Sequence, residues 1–286
     1  MPDARMPPAG QWPELVPAPG SITWQRAGDG RLLMAAGYAL LLQVSHPTVG
    51  AGVTEHSQFR RDPWGRLLRT LDYTYTMVYG GPRAAGKMGR RIRAMHTPIR
   101  GRTPDGRPYH ALEPRAYAWV HATLAEAIVS AHARFGRAFS TAERERFWAE
   151  WRALGQLLGV RGQDLPSDWE GFRRYVSAMS GELQRTAAVD EVLTALARPV
   201  PPALPAVLAP AWPLARIPLA RLLSLASLGM MPATVRARLG LDWSPASELQ
   251  LRALGAAMRA ANPLLPGWLA NTGPGYLRWR AAELAA

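Results

Sequence analysis

Arg66, Arg69 and Thr70 stand three and four residues apart in RDPWGRLLRT, residues 61–70. On a helix that spacing puts all three on one face. Two guanidiniums and a hydroxyl on one face offer fixed positive charge and an oxygen able to relay a proton or hold a water. Turned to solvent, such a face is an ordinary wet surface. Turned inward, it would hold an anion or polarise a bound group. The other candidates are six histidines: His46, His56, His96, His110, His121 and His132. They form neither H-E-x-x-H nor Glu-x-x-His spacings, so the sequence gives no support to a zinc-hydrolase or di-iron centre. With no cysteine in the chain, disulfides, thiolate metal centres and cysteine nucleophiles are excluded.

His96 is set apart by its neighbours. It follows the basic segment GRRIRAM and shortly precedes Pro98. One neutral imidazole is enough to hold a haem iron, and the two propionates of haem favour nearby arginines. The same segment also reads as a helix with a solvated basic face. His121 falls on the apolar stripe Tyr117, Val120, His121, Leu124 and Ile128; it reads as a core imidazole or as one lining a pocket. His46 precedes Pro47 and is expected to cap a buried helix. His110 is expected exposed in a Pro-rich turn, and His132 near a helix end. GPRAAGKM, residues 81–88, approaches the phosphate-binding loop G-x-x-x-x-G-K-[ST]. Met88 replaces the magnesium-binding hydroxyl and Pro82 removes an amide donor, so the match is read as chance.

The elements that must position these groups are helices. GDGRLLMAAGYALLLQVSHP reads as a buried helix between Gly and Pro47. Its 13-residue apolar run, 32–44, is too short to span a bilayer. HPTVGAGVTEHSQF reads as a loop. Asp62 and Pro63 start a helix running to Gly80, although TYTMVYG within it is a tempting strand. Further helices are expected over RAAGKMGRRIRAMH and RAYAWVHATLAEAIVSAHARF, with TPDGRPYHALEP as turn chemistry between them. Ser140 with Glu143, and Ser167 with Glu170, read as capping boxes opening two more. The predicted class is all-α.

The N-terminal 1–22 is Pro-rich and expected to be irregular, with no apolar leader. A helical domain is predicted over 23–262, with a Pro-rich stretch at 199–218 wrapping a helical core, and 263–286 as a C-terminal segment. A cytoplasmic location is expected. Lys+Arg exceeds Asp+Glu by 34 to 21, a net +13 in 286 residues, and Lys87 is the only lysine. That charge attracts anions in general. The arginines are scattered and no nucleic-acid-binding module appears, so specific nucleic-acid binding is not indicated.

Five stretches occur together and in order: SHPTVGAGVTEHSQFRRDPWGRLLRT, MHTPIRG, RPYHALEPRAYAWVHATL, LLGVRGQDLP and MPATVRARLGLDW. From about residue 24 to 260 the chain resembles the family of unknown function 2236. That family includes the bacterial latex-clearing rubber oxygenases and the fungal oxygenase of mycophenolic acid synthesis. The resemblance implies an all-α domain with a globin-like core binding haem b, and His96 as proximal iron ligand. It also implies Arg66 and Thr70 beside the distal haem face. The sequence departs at Arg69, where rubber oxygenases can carry a lysine that reaches the iron. Arginine has no free lone pair, so Arg69 is expected to order an anion or a propionate, leaving the distal iron site open. His121 is expected to line the cofactor pocket. The implied activity is haem-dependent oxygenation of an apolar, unsaturated substrate by dioxygen or peroxide. The alternative is a haem or lipid carrier without turnover, with segment 203–231 and its Arg216 and Arg221 touching an anionic membrane; a core-facing wrap is the favoured reading of that segment. Oligomeric state is not legible.

Overall fold

The computed structural model of the protein describes residues 6–57, 62–202, 209–264 and 266–285. Among these, eleven helices of nine or more residues build the fold. They are α1 (Ala36–Val44), α2 (Pro47–His56), α3 (Pro63–Tyr79), α4 (Gly81–His96), α5 (Pro114–Phe135) and α6 (Thr141–Gln156). Then follow α7 (Trp169–Ser180), α8 (Ala187–Ala197), α9 (Trp212–Met230), α10 (Pro245–Ala260) and α11 (Gly273–Ala285). A two-stranded hairpin, β1 (Arg100–Arg102) and β2 (Pro108–His110), pairs antiparallel with Gly101 opposite Tyr109. The all-α class therefore stands.

Helix α5 is the axis. Its Ala118, Trp119, Ala122 and Ala125 are fully buried. The small alanines let neighbouring helices approach closely, and the indole fills the space between them. One core lies along α3, α6 and α7 and contains Phe147, Trp148, Trp151 and Phe172. The other lies along α1, α8, α9 and α10 around Tyr38, Leu41, Leu42 and Leu251. Trp119 Nε1 donates to the Leu42 carbonyl at 3.0 Å, and Trp148 Nε1 to the Pro166 carbonyl at 3.0 Å. Each buried indole thus has its polar atom satisfied.

Several expectations are corrected. HPTVGAGVTEHSQF is a helix, α2, as far as His56, not a loop; residues 58–61 lie outside those described. A Cβ on Gly50 would come within 2.5 Å of the Val44 carbonyl and 2.7 Å of Thr186. Tertiary packing needs small residues here, which overrides their poor helix propensity. TYTMVYG is helical, because Leu68, Asp72, Tyr75 and Tyr79 form an i, i+4, i+7, i+11 face that the fold buries or bonds. The TPDGRPYH turn is the hairpin. Ser167 is not a cap; Asp168 is, accepting from Gly171 N at 2.7 Å, because the helix begins one residue later, at Trp169. Residues 81–88 are the first turns of α4, with Gly81 at φ +75° opening it, so no phosphate loop exists there. The N-terminal segment is docked: Trp12 is buried against α4, where Gly86 lacks the Cβ that would strike its ring. Part of the Pro-rich stretch, 203–208, lies outside the described residues, as do residues 1–5.

Ser140 and Glu143 form a complete capping box: Ser140 Oγ accepts from Glu143 N and Glu143 Oε2 accepts from Ser140 N. Ser140→Ala is expected to lower stability by about 1 kcal/mol, read by chemical denaturation.

Candidate functional site

A cavity of about 350 Å³ lies between α2, α3, α4, α5 and the hairpin. Val49, Val53, Met77, Ile92, Val120 and Leu154 make much of its wall apolar. Against that wall the structure brings together all five sequence-predicted site residues: Arg66, Arg69, Thr70, His96 and His121. The groups come from three helices and meet only in the folded chain.

His96 is the last residue of α4. Its Nδ1 is 2.7 Å from the Ile92 carbonyl oxygen. A carbonyl only accepts, so Nδ1 carries a proton, and in the neutral ring the lone pair is on Nε2. That is the tautomer a metal-ligating histidine adopts. The ring meets Tyr117 edge-on, with centroids 5.7 Å apart. Tyr117, from α5, has a buried hydroxyl without a hydrogen-bond partner among the described residues, and burial pushes its pKa up to about 12. The orphaned hydroxyl can donate to an oxygen of a ligand, while the imidazole lone pair beside it can bind a metal or accept from a donor. Sequence reasoning used Tyr117 only as a helix-period marker. Its signal was its place on the same apolar stripe as His121, which does not separate a core tyrosine from a site tyrosine.

Arg66, Arg69 and Thr70 share the cavity-facing side of α3 as their spacing predicts. Asp62 caps this helix, accepting from Gly65 N at 2.8 Å, and its other oxygen accepts from Arg69 Nη1 at 3.1 Å. These two contacts hold the Asp62 carboxyl below its ordinary pKa. Arg66 Nη1 donates to Ser57 Oγ at 2.6 Å. Burial, then the neighbouring Arg69 charge, lowers the Arg66 pKa; a guanidinium starts high enough to remain charged. Thr70 Oγ1 donates to the Arg66 carbonyl at 3.0 Å. Its proton is committed to the backbone, so the oxygen is left to accept.

His121 has a different role. Its Nε2 donates to the Trp151 carbonyl at 2.8 Å while Trp151 Nε1 donates back to the His121 carbonyl at 3.1 Å, and the two rings stack. Burial lowers its pKa to about 4. A Cβ at residue 155 would lie 2.8 Å from Nε2, which explains Gly155. His121 therefore forms a neutral part of the wall. His132 is likewise buried, donating from Nε2 to the Arg26 carbonyl at 3.0 Å. His110 is tied into its hairpin at both nitrogens, so it is not the exposed residue expected. His46 stands at the N-terminus of α2. Among the described residues, no three His, Asp or Glu side chains converge as a metal site.

A second cavity, of about 270 Å³, adjoins the first across Gln43, Arg66, Thr70, Thr74 and Leu124. Its other walls include Leu32, Leu40, Leu71, Ile128 and Leu196. The far side of α3 is held by α11. Arg280 makes a two-pronged ion pair with Asp72, at 3.1 Å on each oxygen. The Tyr276 hydroxyl donates to Asp72 Oδ1 at 2.7 Å, and Tyr75 and Thr272 share a hydrogen bond of 2.9 Å.

The molecule is thus an all-α protein whose helices enclose two adjoining, largely apolar cavities, one lined by both the His96 imidazole and the Arg–Thr face of α3. The chain belongs to the family described as ER-bound oxygenase mpaB/B'/rubber oxygenase, catalytic domain, whose profile matches residues 24–260. It is also similar to an uncharacterized protein of Mycobacterium bovis and one of Mycobacterium tuberculosis. Each is 26% identical over 231 residues, covering 79% of this chain and 87% of the relative. No solved structure matches significantly. Helix α11 lies beyond the matched region.

His121 has a folded pKa of about 4 against an ordinary 6.5, and burial likewise lowers that of His132. The unfolded chain therefore binds more protons than the folded one between those values. Stability is expected to be full above pH 6.5 and to fall as pH drops from 6.5 toward 4, read as a falling denaturation midpoint. His121→Gln should flatten part of that slope.

Proposed function

We propose that the protein is a haem b-dependent oxygenase of an apolar substrate, with the haem in the His96 cavity and a globin-like arrangement of the core around it. The observation that carries this reading is His96: an imidazole whose Nδ1 is bound by the Ile92 carbonyl, whose Nε2 is open, and whose cavity is otherwise largely apolar. The residues present fit the group. His96 Nε2 would hold the iron. The apolar walls would receive the macrocycle. Arg66 and Arg69, with the Tyr117 hydroxyl that has no partner among the described residues, offer donors to its carboxylates or to a distal anion. When bound, haem supplies a redox-active iron for oxidation by dioxygen or peroxide.

The chain's own part is positioning and electrostatics. Arg66 is desolvated against the cavity yet stays charged, so its field on an oxygen species there is screened little by water. Asp62 orients Arg69, and the Arg66 carbonyl orients Thr70. Thr70 Oγ1 can accept a hydrogen bond from a water or a protonated oxygen species. Arg69 has no lone pair with which to bind iron, which supports an open distal position. The second cavity meets the first at Arg66 and Thr70, and its apolar walls suit a hydrocarbon chain laid against that edge.

Purified protein, or protein titrated with haemin, is expected to show a Soret band, a ferrous form and a carbon-monoxide adduct. His96→Ala should lose the band while keeping its helicity; a colourless wild type under haemin titration overturns the reading. Arg66→Ala should keep the Soret band but lower turnover of oxygen or peroxide with an alkene about a hundredfold.

A further inference from the structure

Between residues 192 and 241 the chain has no acidic residue and five arginines: Arg198, Arg216, Arg221, Arg236 and Arg238. The first turns of α9 lie within this stretch and stand clear of the core. The wrap expected at 199–218 is thus not core-facing at its described end: residues 213–218 are all exposed. Leu214 is 78% exposed and Ile217 51%, values far above those of a packed aliphatic residue. Leu214, Ile217 and Arg221 follow at i, i+3 and i+7, on one helix face, with Arg216 exposed beside them. Among the described residues neither Arg216 nor Arg221 has an ion-pair partner. Half-buried Trp212 opens the helix.

The same helix reaches the apolar cavity. Leu223, six residues or roughly 9 Å along the axis from Ile217, lines that cavity. Leu33 and Val200 line it too, and both are exposed, at 48% and 43%, so they mark its mouth. Trp64 Nε1 donates to the Val200 carbonyl at 2.8 Å and ties this mouth to the first turn of α3. Helix α9 packs on α8 and on the 3-10 turn Gly30–Ala35 that carries Leu33. The helix that carries this cationic, aliphatic end therefore packs on the elements that frame the opening of an apolar cavity.

We propose that the N-terminal half of α9 docks the protein on an anionic lipid surface, with the mouth of the apolar cavity on the docked side. Leu214 and Ile217 enter the headgroup boundary, and Arg216 and Arg221 meet lipid phosphates. This is the arrangement of an interfacial helix. No single helix among the described residues is long and apolar enough to cross a membrane. A lipophilic substrate then reaches the cavity without crossing water. That last consequence rests on the proposed oxygenase function; the docking itself does not.

The test is vesicle flotation of the full chain, with or without haem, which reads binding and no turnover. Wild type should float with vesicles of equal parts phosphatidylcholine and phosphatidylglycerol, less so as salt rises, and not with phosphatidylcholine alone. Arg216→Gln/Arg221→Gln should bind the anionic vesicles about thirtyfold more weakly, at about fivefold per arginine near a charged surface. Leu214→Ser/Ile217→Ser should weaken binding at least about tenfold. Arg146→Gln/Arg174→Gln removes the same charge from α6 and α7 and should change little. The proposal is overturned if wild type binds neither vesicle or both equally, or if the control variant loses as much as the α9 variant. It is also overturned if Leu214→Ser/Ile217→Ser keeps vesicle binding but converts a dimer to a monomer in sedimentation, which would assign the face to a second copy. None of these outcomes bears on whether the protein binds haem.

Discussion

A guanidinium held against an apolar cavity is expensive unless its donors are satisfied and its position is enforced. Arg66 is in that situation, and much of the surrounding structure answers it. Ser57, at the end of α2, takes one of its N–H groups. Asp62 starts the helix, and by pairing with Arg69 it draws the second charge toward the rim. On the opposite face, Asp72 is locked by Tyr276 and Arg280. Helix α3 is therefore gripped from behind by α11 while its front carries charge into a space lined by aliphatic side chains. Without that rear grip, a helix with two cations on its front would lower its energy by turning them to water.

The imidazoles obey a related rule. In His96, His121 and His132 one ring nitrogen donates to a backbone carbonyl: Ile92, Trp151 and Arg26 respectively. Each carbonyl fixes which ring nitrogen carries the donated proton. The consequences differ because the surroundings of the second nitrogen differ. At His121, stacking on Trp151 and the close approach of Gly155 lock the ring into the wall. At His132 the second nitrogen faces Asp29 in the core. At His96 the ring stands at the end of α4 on a cavity, next to a tyrosine whose hydroxyl has no partner among the described residues. The same local bond thus yields two structural histidines and one ready to act as a ligand.

Much of this was legible in the chain. Ser140 with Glu143, and Asp62 with Pro63, are complete local signals, because a cap involves residues within three or four positions of one another. The grouping of Arg66, Arg69 and Thr70 followed from helical period alone. Other features were not legible. The helical state of residues 47–56 depends on Gly50 fitting against Val44 and Thr186, a contact between distant segments. The exposure of residues 213–218 is invisible to hydropathy, which reads Leu214 and Ile217 as core. The bracing of α3 by Tyr276 and Arg280 joins residues 208 apart or nearly so in sequence, and no short-range pattern records it.

By itself, the sequence determined the all-α class, the helix starts and which residues share a helix face, because these depend on spacing and on bonds within one turn. It also determined, through five ordered stretches, the family to which the chain belongs. Only the tertiary structure decided which of those faces look inward and that His96 shares a cavity with Arg66, Arg69 and Thr70. Only it decided that two cavities meet at Arg66 and Thr70. Those outcomes depend on side chains from helices far apart in the chain competing for the same buried space, and periodicity along one helix carries no record of what packs against it.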